Sequence, residues 1–435
     1  MPTTHRTTPT IPLIPSGSPI VVPTSAGAGG AGCRVRQLPD ALPRLDPAAA
    51  RALLSRYDVG PSDGDGRVIV VAMSGGVDSA VTALVLRERG YRVLGVNMRL
   101  YNPPDEQGFI NPCCSIDAME DARATCQRID VPFYAMNMAR EFEAGVIDRF
   151  VSEYAAGRTP NPCLECNRQV KFRHLIGKAR MLGATGLATG HYARIERDDT
   201  GELHLLRAVD ERKDQSYVLH TLDQEQLAYL RFPLGRLRKT EVRELARGFG
   251  LPVADKPESQ DICFVASGEH AKFVARRLGD EAERMTTPGP IVDGAGNVLG
   301  EHRGLLHYTV GQRKGLGIAA GQPLFVLRLD PHRNMLVVGP REALATSTIT
   351  ADGVSFTSGR WPEVPFDCQI VVRYRGTAYP ATVEPGEPGA VVVRATGLGG
   401  AVAPGQAIVF YRGDEVLGGG TIRATDAPGL AAAAS

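Results

Sequence analysis

Ser74-Gly75-Gly76-Val77-Asp78-Ser79 is the run of this chain best equipped to do chemistry. It follows an apolar stretch, Val68 to Met73, and opens a segment, Ala80 to Arg89, of helical character. A strand-to-helix turn leaves backbone N–H groups unpaired at the positive end of a helix dipole, and phosphate binds there. Gly75 and Gly76 let the backbone approach a ligand closely and take φ > 0. Ser74 and Ser79 add hydroxyl donors, and Asp78 can hold a magnesium ion or cap the helix. Two other phosphate loops are excluded. No lysine follows as in G-x-x-x-x-G-K-[ST], and the run lacks the G-x-G-x-x-G spacing.

A second signal is Thr159-Pro160-Asn161-Pro162-Cys163-Leu164-Glu165-Cys166-Asn167. Its prolines make a rigid turn, and Cys166 falls at the start of a helix, followed by Arg168 and Lys171. A helix N-terminus with nearby cations favours the thiolate, which is both nucleophile and metal ligand. By itself C-x-x-C reads as half of a zinc or iron–sulfur site, a redox pair, or a nucleophile with a neighbour. Cys263 lies in Asp255–Phe264, between flanks of mixed polarity. Alone it reads as a structural cysteine; beside the loop and the C-x-x-C it reads as a reactive partner.

The elements that must position these groups follow from the whole chain. A length of 435 residues implies two or three domains, and 43% hydrophobic with 22% charged residues is a soluble globular composition. No apolar run approaches the ~18–20 residues that span a bilayer. A net charge of +1 restricts any nucleic-acid site to a local patch. Eight cysteines in so long a chain are no disulfide framework, so a reducing, cytoplasmic setting is expected. Residues 1–66 read as a disordered extension with a short helix over Asp46–Tyr57. The extension's lack of acids up to Gly32, with Arg6, Arg34 and Arg36, resembles a transit peptide, but its many prolines and glycines oppose the amphipathic helix such peptides form.

From Val68 to Gly190 strands alternate with helices. The strands are Val68–Met73, Tyr91–Met98, Phe133–Met138 and Leu187–Thr189. The helices are Val77–Arg89, Asp117–Ile129, Phe142–Tyr154 and Asn167–Leu182. That pattern predicts a parallel sheet with helices on both faces and ligands at the carboxyl ends of its strands. A hairpin is expected between Tyr192–Glu196 and Leu203–Arg207. Asp223–Leu251 reads as mainly helical and basic, and from Pro290 short alternating strands predict a small antiparallel barrel or sandwich.

Together these segments resemble the tRNA-specific 2-thiouridylase family, whose members replace the 2-oxygen of a wobble uridine with sulfur. The loop resembles the pyrophosphatase (PP) loop of ATP pyrophosphatases, which cleave ATP between its α- and β-phosphates and adenylate a substrate oxygen. The matching segments are Ala72–Ser79, Gly157–Phe172, Ala188–Ala193, Lys213–Tyr217, Asp261–Val265, Gly311–Gly317, Arg373-Tyr374 and Gly418–Gly420. The fold implied is α/β. A doubly wound parallel-sheet PP-loop ATP pyrophosphatase domain spans 67–222, and a small, mainly helical, tRNA-binding central domain carrying Cys263 spans 223–290. A C-terminal antiparallel β-barrel spans 291–435.

The resemblance implies that Ala72, Met73, Ser74, Gly75, Gly76, Val77, Asp78, Ser79, Met98 and Gly190 contact ATP, with Mg2+ as a further cofactor. It implies that Cys166 is a nucleophile and that Cys263 carries a persulfide. Asn161, Pro162 and Cys163 fall where the target base is held, and Lys213, Asp214, Gln215, Arg373 and Tyr374 match tRNA contacts. The implied partners are tRNA of the Glu, Gln and Lys type and a cysteine desulfurase or sulfur-relay protein. No membrane partner is expected, and the chain is expected to be a monomer or weak dimer. Some members have aspartate where this chain has Cys163. Three thiols, Cys163, Cys166 and Cys263, match the ligand count of a 4Fe–4S cluster with one open iron, so a cluster route stands as the alternative to the persulfide.

Other readings stay open beside this one. An ATP pyrophosphatase that amidates a small molecule shares the loop but needs no thiols. A tRNA-binding protein with a structural zinc would need His191 as its fourth ligand. His191 reads equally as a pocket residue or a satisfied structural histidine. The Arg231–Arg247 run and Gln312-Arg313-Lys314 are candidate tRNA-backbone contacts. Glu301–Gly304 reads as a turn and Trp361 as barrel packing. Cys113 and Cys114 read as small buried residues rather than sulfur-handling thiols, and Cys33, Cys126 and Cys368 as structural or incidental.

Overall fold

Four residues in succession, Ile69 to Ala72, are buried, and such a run suits a strand covered on both faces. The computed structural model describes residues 47–60, 62–101, 116–258, 262–265 and 268–426. In it Val68–Ala72 is the middle strand of a five-stranded sheet. Arg92–Arg99 and then Phe133–Asn137 lie on one side, Gly186–Ala188 and Leu230–Arg231 on the other, and every pairing is parallel. The strand order reverses beside Val68–Ala72, so the crevice at a topological switch point opens where that strand ends, at Ser74.

The Val77–Glu88 helix is buried along almost its whole length. The Lys239–Gly248 helix shares its apolar cluster, using Val242, Leu245 and Ala246 at helical spacing. The mainly helical segment expected over Asp223–Leu251 holds two helices with a short strand and a turn between them. The Gln224–Tyr229 helix ends in the Leu230–Arg231 strand, and a Pro233–Arg236 turn precedes Lys239. The parallel sheet therefore draws a strand from beyond residue 222. A helix at Pro47–Leu54 is also present, and the segment after it reaches the Lys239–Gly248 helix. Leu53 lies over Gly248, Tyr57 donates to Glu244 Oε2 at 2.5 Å, and Asp58 pairs with Arg236 at 3.1 Å.

The last two of the four helices expected before residue 185 start earlier, running Ala139–Ala155 and Pro162–Met181. Each contains widened π-type turns, at Glu143–Ile147 and Cys166–Leu175. The two widened stretches face each other where Gly145 approaches Gln169.

Beyond residue 288, a small sheet is built from Gly289–Val292, Val298–His302, Phe325–Asp330 and Met335–Gly339. Six antiparallel strands follow: Thr348–Phe356, Phe366–Val371, Tyr379–Pro385, Ala390–Ala395, Ala407–Arg412 and Glu415–Thr425. The first pairs with the last and closes a barrel. Trp361 packs edge-on against Phe356 at 5.4 Å, as barrel packing requires. The Arg194–Arg197/Leu203–Leu206 hairpin pairs with Glu415–Val416 and so extends the barrel sheet.

His204 fastens that hairpin, with Nδ1 2.6 Å from Glu415 Oε1 and Nε2 3.2 Å from Asp198 Oδ2. The Glu415 hydrogen bond, aided by Asp198 and opposed by partial burial, raises its pKa above 6.5. A raised histidine pKa stabilises fully below the unfolded value and loses that stabilisation as pH rises through the folded one. His204→Gln should therefore flatten the fall in melting temperature between about pH 6 and pH 9, an effect of under ~1 kcal/mol for so exposed a pair. A variant whose melting curve keeps the wild-type pH slope contradicts this.

Candidate active site

The phosphate loop is shaped by contacts that only its residues permit. Gly75 has φ +74°, and a Cβ there would lie 2.1 Å from the Ala118 carbonyl oxygen. Ser74 N donates to Ser79 Oγ (3.1 Å), Ser79 Oγ donates to Gly76 O (3.1 Å), and Asn97 Nδ2 holds the Met73 carbonyl from the next strand (2.7 Å). Gly190, at the end of a neighbouring strand, packs directly on the helix start. A Cβ there would stand 2.9 Å from Asp78 C and Ser79 N.

Asp78 does not cap the helix; Gly76 occupies that position. Its Oδ1 instead accepts from Tyr192 Oη at 2.7 Å and from Lys239 Nζ at 2.5 Å. An ammonium thus stands where a magnesium ion was expected, and Asp78 does not fit as a resident metal ligand in this arrangement. Burial, and next the negative Asp78, push the Tyr192 phenol far above its ordinary range, so it stays a donor.

A cavity of about 590 Å³ joins this loop to the other candidates. Ser74 to Asp78 form one wall; Asn161 and Cys163, Lys213 and Gln215, and Tyr374 form the others. Asn161 caps the Pro162–Glu165 turn by accepting from Cys163 N (3.1 Å), and this fixes the turn at the cavity edge. Gln215 is held by its Oε1, which accepts from Tyr192 N (3.0 Å). His191 also lines the cavity. Its Nδ1 lies 2.6 Å from Thr189 Oγ1, and burial, with Lys171 nearby, drives its pKa well below 6.5. It is therefore both a wall residue and a satisfied neutral histidine.

Several expected residues stand behind or beside the cavity. Ala72, Met73 and Pro162 are buried, and Met98 is half-buried against the core. Asp214 faces its own turn, accepting from Ala208 N, Ser216 N and Ser216 Oγ, with Arg207 at 3.3 Å. Arg373 lines a different cavity, of about 690 Å³, shared with Arg313 and Arg341; Arg375 takes its place beside Tyr374.

Cys166, expected at the helix start, is buried one turn inside the Pro162–Met181 helix as the first residue of its widened stretch, so Cys163 is the thiol in the helix's first turn; Cys263 is half-buried against the same apolar cluster as Cys166. Phe264 pins the chain beside Cys263 through ring contacts with Phe142, Phe150 and Phe273, at 5.4, 5.3 and 5.3 Å. Among the described residues no three His, Cys, Asp or Glu side chains gather as a metal-holding group. A 4Fe–4S cluster on Cys163, Cys166 and Cys263, or a zinc using His191, does not fit this arrangement. Burial pushes the thiols of Cys126 and Cys368 up to about 12, in keeping with structural roles. Cys33, Cys113, Cys114 and Asp261 lie outside the described residues.

Sequence reasoning named Lys171 and Lys213 but missed two other cations of the cavity, Lys239 and Lys256. Lys171, Lys239 and Lys256 line it, with Glu258 between Lys213 (2.6 Å) and Lys239 (3.2 Å). Lys239 was legible only as one charge of a basic helix; Lys256, beside Pro257, carried no signal.

Three family models match in succession: "tRNA methyl transferase HUP domain" over residues 67–267, "tRNA methyl transferase PRC-barrel domain" over 272–340, and "Aminomethyltransferase beta-barrel domain" over 346–422. The chain is 49% identical over 369 residues to a tRNA-specific 2-thiouridylase MnmA of Roseiflexus castenholzii, covering 81% of this chain and 98% of that one. It is 50% identical over 361 residues to that of Geobacter metallireducens, covering 82% and 96%. No described helix is long and apolar enough to cross a membrane.

Proposed function

Because the chain belongs to the tRNA-specific 2-thiouridylase family, we propose that the cavity beside Ser74–Ser79 is where ATP activates the 2-oxygen of a tRNA wobble uridine and sulfur replaces it. Two of the family descriptions speak of methyl transfer, whereas the relatives' names speak of thiolation. Cys163 in the cavity wall, with Cys166 further along the same helix, sides with thiolation. The observation that carries the reading is that one cavity is shared by the phosphate loop, by Asn161 and Cys163, and by Lys213, Gln215 and Tyr374. The amidating alternative gives those thiols nothing to do.

In this reading the uridine 2-oxygen attacks the α-phosphorus of ATP. The bond from that phosphorus to the bridging oxygen breaks, pyrophosphate leaves toward the loop, and the uracil N3 proton is released. A carbonyl oxygen is a poor leaving group; as part of AMP it is a good one. The terminal sulfur of a Cys263 persulfide attacks C2 and AMP departs with the original oxygen. The Cys166 thiolate then attacks Cys263 Sγ, the S–S electron pair passes to the sulfur on C2, and N3 takes up a proton from solvent. This yields 2-thiouridine and a Cys166–Cys263 disulfide, which a two-electron thiol reductant resets. The sulfur comes from a cysteine desulfurase or a relay protein, and magnesium enters with the nucleotide. The substrates are tRNAs of the Glu, Gln and Lys type.

The test is pyrophosphate release. We expect it to require both ATP and a tRNA with uridine at the wobble position, and to fall at least about tenfold with cytidine there. Equal release without tRNA overturns the reading.

A further inference from the structure

We infer that Lys239 binds the pyrophosphate group of ATP, supplying from a distant helix the cation that the Ser74–Ser79 loop does not carry. The inference rests on the reading above only in taking ATP as the ligand. Lys239 is the first residue of its helix, where the dipole disfavours a positive charge. Its side chain is only 10% exposed, and a lysine so enclosed requires partners. It has Asp78 Oδ1 at 2.5 Å and Glu258 Oε1 at 3.2 Å, and both partners line the cavity that holds the phosphate loop. Its main chain is fixed as well, because Lys239 N donates to Asp210 Oδ2 at 2.9 Å. A flexible four-carbon stem on a fixed anchor can swing its ammonium between neighbouring anions.

The surroundings show which anion it serves. Lys256, the second cation at the loop, is committed elsewhere: it donates to the Gly75 carbonyl (3.0 Å) and to Asp121 Oδ2 (2.6 Å), and so holds the left-handed turn of the loop in place. Glu258 has a second ammonium, Lys213, at 2.6 Å, and keeps it if Lys239 turns away. Release of Lys239 therefore leaves Glu258 paired, and of the two ammonium groups on Glu258 Lys239 is the one that also has a loop residue, Asp78, as a partner. A polyphosphate entering the cavity carries more charge than Asp78 and draws Lys239 onto its oxygens. When the bond between the α-phosphorus and the bridging oxygen breaks, the electron pair stays on pyrophosphate, and Lys239 neutralises that charge while keeping its protons.

The experiment is calorimetric titration of the full chain, without tRNA, with inorganic pyrophosphate and separately with AMP. Lys239→Met should weaken pyrophosphate binding about tenfold to a hundredfold and leave AMP within about twofold, and Lys239→Arg should restore most of the loss. Asp78→Asn, which nearly preserves shape and folds independently of the first variant, should tighten pyrophosphate because a competing carboxylate charge is gone. Unchanged pyrophosphate affinity in Lys239→Met overturns the inference. So does an equal loss of AMP and pyrophosphate, which marks a mere strut, or weaker pyrophosphate binding in Asp78→Asn. Because tRNA is absent, a failure here is distinct from a failure of the thiolation reading, which the wobble-base dependence decides.

Discussion

Cys263→Ser should abolish thiolation, by more than about a thousandfold, the scale on which loss of a nucleophile acts. A hydroxyl cannot form the persulfide of the proposed route, so on that route no sulfur would reach C2. Adenylation uses other groups, so pyrophosphate release dependent on ATP and tRNA should persist. Cys166→Ser should stop one step later, with tRNA linked to Cys263 through two sulfurs. That adduct runs as a shifted band on a non-reducing gel and disappears with dithiothreitol. Thiolation at the wild-type rate in Cys263→Ser, measured as retarded tRNA in a mercury-containing gel, would falsify the persulfide assignment.

Gly190→Ala should cost nucleotide binding at least about tenfold, since overpacking of this kind costs roughly 1–3 kcal/mol. The added Cβ would meet Asp78 C and Ser79 N at 2.9 Å and Asp78 Cβ at 3.0 Å. These atoms belong to the first turn of the helix, whose backbone cannot step aside as a long side chain can. Either the helix start or the strand end must retreat, and each retreat opens the loop. Gly177→Ala is the control: it lies in the Ile176–Met181 helix with open space around it, and should be neutral or stabilising by ~0.5–1 kcal/mol. Titration with a non-hydrolysable ATP analogue reads both variants, and wild-type affinity in Gly190→Ala would refute the packing argument.

Much of this site was legible because its signals are local. The apolar run into Ser74–Ser79 announces strand, loop and helix within a dozen residues, and the Pro-bounded C-x-x-C announces its own turn. What escaped depends on distant partners. Leu230-Arg231 is a strand of only two residues, too short for any periodicity, and exists because Leu187 and Ala188 offer it an edge. Lys239 looks like part of a solvated basic face until Asp78, 161 positions earlier, is brought beside it. Asp214 matches a substrate-contact pattern, but the structure engages its carboxylate in the turn that presents Lys213 and Gln215. Asp78 illustrates the opposite error. A helix-start aspartate suggests a cap or a metal ligand, and neither reading anticipates a lysine from another helix.

The hairpin that extends the barrel sheet has a consequence for how the enzyme chooses what it modifies. Only Thr189 to Ala193 separate the Gly186–Ala188 strand, next to the phosphate loop, from the hairpin's first strand. The hairpin is in turn hydrogen-bonded to the barrel's last strand. Barrel and loop are therefore the two jaws of a caliper whose hinge is stiffened by β-ladder bonds. On the proposed reading, with Tyr374 of the barrel lining the cavity, a tRNA resting on the barrel would have to present its base at a preset span. An RNA with the right base on an arm of the wrong length would then meet a gauge, not a grip that closes to accommodate it.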